Sequence, residues 1–97
     1  MGVEKTEFGT VEVIKRDSDA SFTLETVLAG KCIPKHCHKE RDEIVMVLEG
    51  HTSKLEAGNI YLFRKGKPHE YVNDSDEPLK LLLIMTPPYD GGDYFTR

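Results

Sequence analysis

No stretch of this chain holds an apolar period of 3.6 residues long enough to build a helix. Short apolar or alternating runs recur instead, at residues 11–14, 22–29, 44–48, 60–63, 70–72 and 79–86. Turn residues punctuate them: the loop 17–21, Glu49-Gly50, Ala57-Gly58-Asn59, Lys65-Gly66-Lys67-Pro68 and the solvated connection 73–78. Short strands cut by turns at about eight- to twelve-residue spacing predict an all-β chain, an antiparallel sandwich or barrel. No internal repeat and no linker interrupts the pattern, so 1–97 is expected to be one domain.

Composition narrows the partners. Thirteen basic against seventeen acidic residues give a net charge of −4, which repels a phosphate backbone and predicts no nucleic-acid face. The longest apolar run, 81–85, is too short to cross a bilayer. The first residues lack the apolar core of a secretory signal, so a cytoplasmic protein is expected. Cys32 and Cys37 lie about 16 Å apart in an extended chain, beyond bridging distance, and read as free thiols. A zinc finger would need a second ligand pair at regular spacing, and His51 and His69 come without cysteines.

The chemistry concentrates elsewhere. On a strand His36 and His38 share one face, with Cys37 on the other. Glu43 meets the same point if residues 39–42 turn the chain back, and His69 heads a later strand. Three imidazoles and one carboxylate suit a divalent first-row metal in octahedral coordination, with about two positions open to water or substrate. Hydrogen-bonded histidines beside a solvated charged turn are the plainer alternative, but that reading leaves the glycines unexplained. Gly30, His36, His38, Glu43 and Gly50 fit G-x5-H-x-H-x4-E-x6-G throughout. Gly58, Gly66, His69 and Asn73 fit G-x5-P-x-G-x2-H-x3-N except that Arg64 stands in place of proline.

On these two motifs, at 30–50 and 58–73, the chain resembles the cupin superfamily. The resemblance implies a small double-stranded β-helix, or jelly-roll barrel, in which His36, His38, Glu43 and His69 ligate one divalent ion of iron, manganese, nickel or zinc. It also implies a metal-dependent enzyme acting on a small polar organic molecule such as a sugar or oxo acid, of dioxygenase, isomerase or lyase type. Glu43 and Tyr71 are the candidates for moving a proton. The alternative is a module that binds a small molecule or metal in the same pocket without turnover.

Counting by twos from the ligands sends Cys32, Val45, Val47 and Tyr71 inward, with Phe22, Leu24, Leu28, Leu81, Leu83 and Met85 completing the wall. Arg64, Lys65 and Lys67 are expected over the mouth if they recruit an anionic group, whereas His51 is expected at the surface. Only residues 51–57 separate the motifs, which predicts a missing hairpin, an exposed edge and a side door to the interior. A second subunit or the C-terminal tail is expected to cover that edge. The unbroken apolar run 44–48 favours a homodimer.

Overall fold

The computed structural model describes residues 2–89 and 92–96, and among them there are eight strands and no helix. The strands are β1 (Val3–Lys5), β2 (Gly9–Arg16), β3 (Ser21–Val27), β4 (Cys32–His36), β5 (Asp42–Glu49), β6 (Ile60–Phe63), β7 (His69–Val72) and β8 (Leu79–Thr86). All pairings are antiparallel. Six strands form one sheet in the order β1-β2-β3-β8-β5-β6, and β4 pairs with β7 in a second. Ile33 and Tyr71 from the small sheet share a core with Val27, Val45, Val47, Leu79, Leu81, Leu83 and Met85 from the large one. The two sheets therefore close on one another, as a double-stranded β-helix requires.

Six of the strands coincide with the apolar runs. The other two, β1 and β4, carry no such signal. β1 is exposed along its whole length, and β4 contains Pro34, which an unpaired edge tolerates because it needs no donor there. Leu81, Leu83, Met85, Val45, Val47 and Tyr71 point inward as expected.

Four expected wall residues, Cys32, Phe22, Leu24 and Leu28, do not. The pairing of β4 with β7 shifts register between Ile33 and His36. That irregularity reverses the alternation, so Ile33 is buried and Cys32 is exposed. In β3 the opposite parity holds from the one expected: Glu25 and Val27 are buried and Thr23 lines the interior, while Leu28 lies exposed beyond the strand. Phe22 and Leu24 stand on the outer face, where their rows continue across the sheet. One row runs Leu24, Leu82, Met46, Ile60 and the other Phe22, Ile84, Ile44, Leu62. Because both faces of the sheet are apolar, hydrophobicity alone cannot fix which residues turn in.

The short segment between the motifs folds over the core beside a cavity of about 390 Å³ that is lined by Leu55, Tyr61, Phe63 and His69. His51 bridges to Glu56, Thr52 Oγ1 accepts the Leu55 N–H at 2.9 Å, and Leu55 is buried in the core. The edge strand β6 remains uncovered, with Ile60 60% and Leu62 47% exposed. The C-terminal tail goes elsewhere: Phe95 pairs with Cys37, with N···O distances of 2.8 and 3.0 Å. Asn73 belongs to the fold rather than to a solvated loop. Fully buried, it donates from Nδ2 to the carbonyls of Val27 (2.9 Å) and Glu77 (2.7 Å), tying the 73–78 turn to β3.

Candidate metal centre

Four residues from three strands and one loop meet inside this fold. His36 ends β4, directly opposite His69 at the start of β7. His38 follows one buried residue later, and Glu43 is the second residue of β5. Between the two histidines Cys37 turns the other way, as alternation demands, and is covered by its pairing with Phe95. All four ligand-type side chains are buried, and one donor atom from each lies within 4.8 Å of all the others.

The tautomers are set by the backbone. His36 Nδ1–H donates to the Pro34 carbonyl at 2.7 Å and His69 Nδ1–H to the Lys67 carbonyl at 3.2 Å, while His38 Nδ1–H donates to the carbonyl of Asp93. With each Nδ1 committed, each Nε2 carries a lone pair. His38 Nε2 lies 3.1 Å from Glu43 Oε1, and His69 Nε2 lies 3.3 Å from Oε2. His38 Nε2, His69 Nε2 and Glu43 Oε1 are nevertheless buried without a hydrogen-bond partner. Lone pairs facing a carboxylate in a dry interior need a positive charge between them. The donor set of three imidazoles and one carboxylate therefore fits a divalent cation, and Nδ1–carbonyl bonds are the outer partners that orient metal-binding histidines.

Surrounding groups reinforce the geometry. Tyr71, fully buried, donates its hydroxyl to Glu43 Oε2. Burial would raise the Glu43 pKa, but the close imidazoles of His38 and His69 and the Tyr71 hydroxyl outweigh this effect and lower it. Burial, reinforced by the Glu43 charge, keeps the Tyr71 phenol well above its ordinary pKa and hence protonated. Burial pushes the His36 pKa down. For His38 burial acts the same way, yet Glu43 and the Asp93 carbonyl overcome it and the pKa rises. Tyr94 stacks on His36 at 4.3 Å between ring centroids, and Phe63 stacks on His69 at 4.6 Å.

The centre opens into a cavity of about 550 Å³. His36, His38, Glu43 and Tyr71 line it together with Thr23 and Glu25. Glu25 is only 9% exposed, and burial together with the nearby Glu43 charge pushes its pKa up to about 8. Sequence reasoning missed it because the alternation in β3 runs the other way. A polar residue at every second position of an apolar strand was the available signal. Arg64, Lys65 and Lys67 are exposed and do not line this cavity; Arg64 sits 3.9 Å from Asp42 instead. His51 is at the surface, 3.7 Å from Glu56.

The tail supplies a partner the motifs do not contain. Asp93 is buried, and its carboxylate accepts the N–H groups of Lys39 (2.7 Å) and Glu40 (2.8 Å) and the Arg41 guanidinium (3.0 Å). It thereby pins the loop between His38 and Glu43.

Comparison with known proteins agrees with this architecture. An uncharacterized protein of Aquifex aeolicus (strain VF5) is 33% identical over 91 residues, covering 86% of this chain and 74% of the relative. The structure of KdgF from a Halomonas species superposes with a TM-score of 0.79 at 18% identity, over 93% of this chain and 89% of that one. A cupin-superfamily sugar phosphate isomerase from Silicibacter pomeroyi DSS-3 gives 0.63 at 29% identity, over 71% of this chain and 51% of the other. Residues 23–85, from β3 to the penultimate residue of β8 and including all four clustered side chains, match the family model for the cupin domain, and the chain belongs to that family.

Proposed function

We propose that His36, His38, Glu43 and His69 bind one divalent first-row metal ion, and that the protein is a metal-dependent enzyme acting on a small polar organic molecule of sugar or oxo-acid type. The observation that carries this is the set of buried, unpartnered acceptor atoms on His38, His69 and Glu43, with all three imidazoles locked by backbone carbonyls. When bound, such an ion supplies Lewis-acid polarisation of a ligand oxygen, or redox chemistry if it is iron. The chain's own residues orient the donors, exclude water behind the centre and, through the Tyr71–Glu43 hydrogen bond, hold a proton beside it. A sugar phosphate isomerase among the structural relatives supports the sugar branch.

One observation favours the second reading, a binding module without turnover. Tyr71 donates its hydroxyl to Glu43 Oε2 and both side chains are fully buried, so each is committed to the other rather than free to exchange a proton with a ligand. Both readings share the metal. We further infer a homodimer that buries the outer apolar rows of the six-stranded sheet.

Elemental analysis of protein purified without a histidine tag or chelator tests the shared part, with about one equivalent of a divalent metal expected. Glu43→Gln separates the roles. Weakened metal retention is expected for a ligand, whereas full metal with abolished turnover would make Glu43 a base. Metal-free protein that takes up none on titration would overturn both readings.

A further inference from the structure

Resting on the metal reading above, we infer that the cavity selects a ligand that, beyond the atoms held at the metal, is uncharged or cationic and presents a hydroxyl or amino group to the Glu25 carboxyl. Phosphorylated or carboxylated ends are refused.

Glu25 sits in the middle of β3, in register with Val11 on one neighbouring strand and Leu81 on the other. Its side chain is more than nine-tenths buried, lines the cavity and makes no hydrogen bond or ion pair with a described residue. A buried carboxyl without a partner is costly, and persists where a partner arrives with a ligand. Whether protonated or ionised, a carboxyl accepts from a hydroxyl or an amine, so the pairing does not depend on its charge. Around it the wall includes Val11, Val13, Leu83 and Met85, which suits the carbon skeleton of a ligand.

The lack of cationic partners among the described lining residues disfavours the other ligand classes. Recognition of a phosphate or carboxylate in a closed site calls for an arginine, a lysine or a nest of N–H groups. Among the described residues no lysine or arginine lines this cavity, whereas Glu4, Glu25 and Glu43 do. Arg41 is engaged with the Pro88 carbonyl and Asp93. An anionic group is thus accommodated only at the metal.

Calorimetric titration of the zinc-loaded full chain tests this with four short-chain alkanohydroxamates. These chelate the metal identically and differ only in a terminal methyl, hydroxyl, ammonium or carboxylate. Hydroxyl and ammonium probes should bind at least about tenfold more tightly than the methyl probe, and the carboxylate probe more weakly. Glu25→Ala should erase the hydroxyl and ammonium advantage while leaving zinc stoichiometry and methyl-probe affinity unchanged. Zinc bound with equal affinities for all four probes, or with the carboxylate probe preferred, would overturn this inference alone. Failure to bind zinc would overturn the metal reading and this inference with it. The wild-type ranking decides the matter even if the variant does not fold.

Discussion

The main-chain carbonyl of Asp93 accepts the Nδ1–H of His38 from a position 55 residues further along the chain. The same residue's carboxylate takes the next two backbone N–H groups after His38 and the Arg41 guanidinium. One tail residue thus holds a candidate ligand and the loop leading to Glu43. Asp93→Ala should destabilise the fold by about 2–4 kcal/mol, since it removes the acceptor of the buried Arg41 guanidinium and of two part-buried N–H groups. It should also weaken metal binding about ten- to a hundredfold through the loosened imidazole. Thermal melts and competitive metal titration read the two effects separately. Metal affinity unchanged in the variant would mean that the tail does not position His38.

Metal occupancy should fall as pH drops through about 6.5, because imidazole must be neutral to ligate. Burial lowers the pKa of both His36 and His38, but Glu43 and the Asp93 carbonyl raise that of His38, so His38 is protonated more readily than His36. Elemental analysis after desalting across the pH range measures this. Occupancy that persists to about pH 4 would contradict histidine ligation.

Metal-free protein should show a second pH signature. Glu25 has its folded pKa raised to about 8 from 4.5, so between these values the folded state binds more protons than the unfolded one. Stability from this group is therefore fully present below about 4.5 and declines toward pH 8. Glu25→Gln removes the titration. Its melting temperature should match wild type near pH 4.5 and exceed it increasingly toward pH 8. A difference constant with pH would count against a buried, protonated Glu25.

Gly50 adopts φ +109°, and a Cβ there would sit 3.1 Å from Leu79 Cα. Gly50→Ala combines a positive φ with a backbone contact that must give by a few tenths of an ångström, at a cost of about 1–3 kcal/mol. For a domain of this size that corresponds to a fall of about 4–8 °C in melting temperature per kcal/mol. A melt within a degree of wild type would show that β5 and β8 separate easily at this end.

If the outer rows Phe22-Ile84-Ile44-Leu62 and Leu24-Leu82-Met46-Ile60 pair with a second copy, the sedimenting mass will be twice the 11.0 kDa of one chain. Ile84→Glu, in the middle of one row, should then yield the 11.0 kDa species with its metal content intact. Wild-type protein sedimenting as one chain would rule out the dimer.

Much of this fold is legible in the sequence because glycines and polar turn residues mark the strand ends, and four residue types at motif spacing identify the cluster. What stays hidden is parity. Two apolar faces on β3 make Leu24 and Val27 equally plausible core residues, so Glu25 is misassigned by a single step. A register irregularity in β4 exchanges Cys32 for Ile33 in the same way. Asp93 is invisible for a different reason: no local pattern reports a contact made 55 residues away.

All three imidazoles hand their Nδ1 proton to peptide oxygens, those of Pro34, Lys67 and Asp93, and none relies on a side chain for this. A peptide oxygen survives any point substitution that spares the local chain path. The orientation of the His36 and His69 rings is consequently insulated from mutational drift, whereas His38 depends on Asp93 keeping the tail in place. Descendants of this protein can change what they recognise by altering the wall around Glu25 without retuning the coordination by His36 and His69.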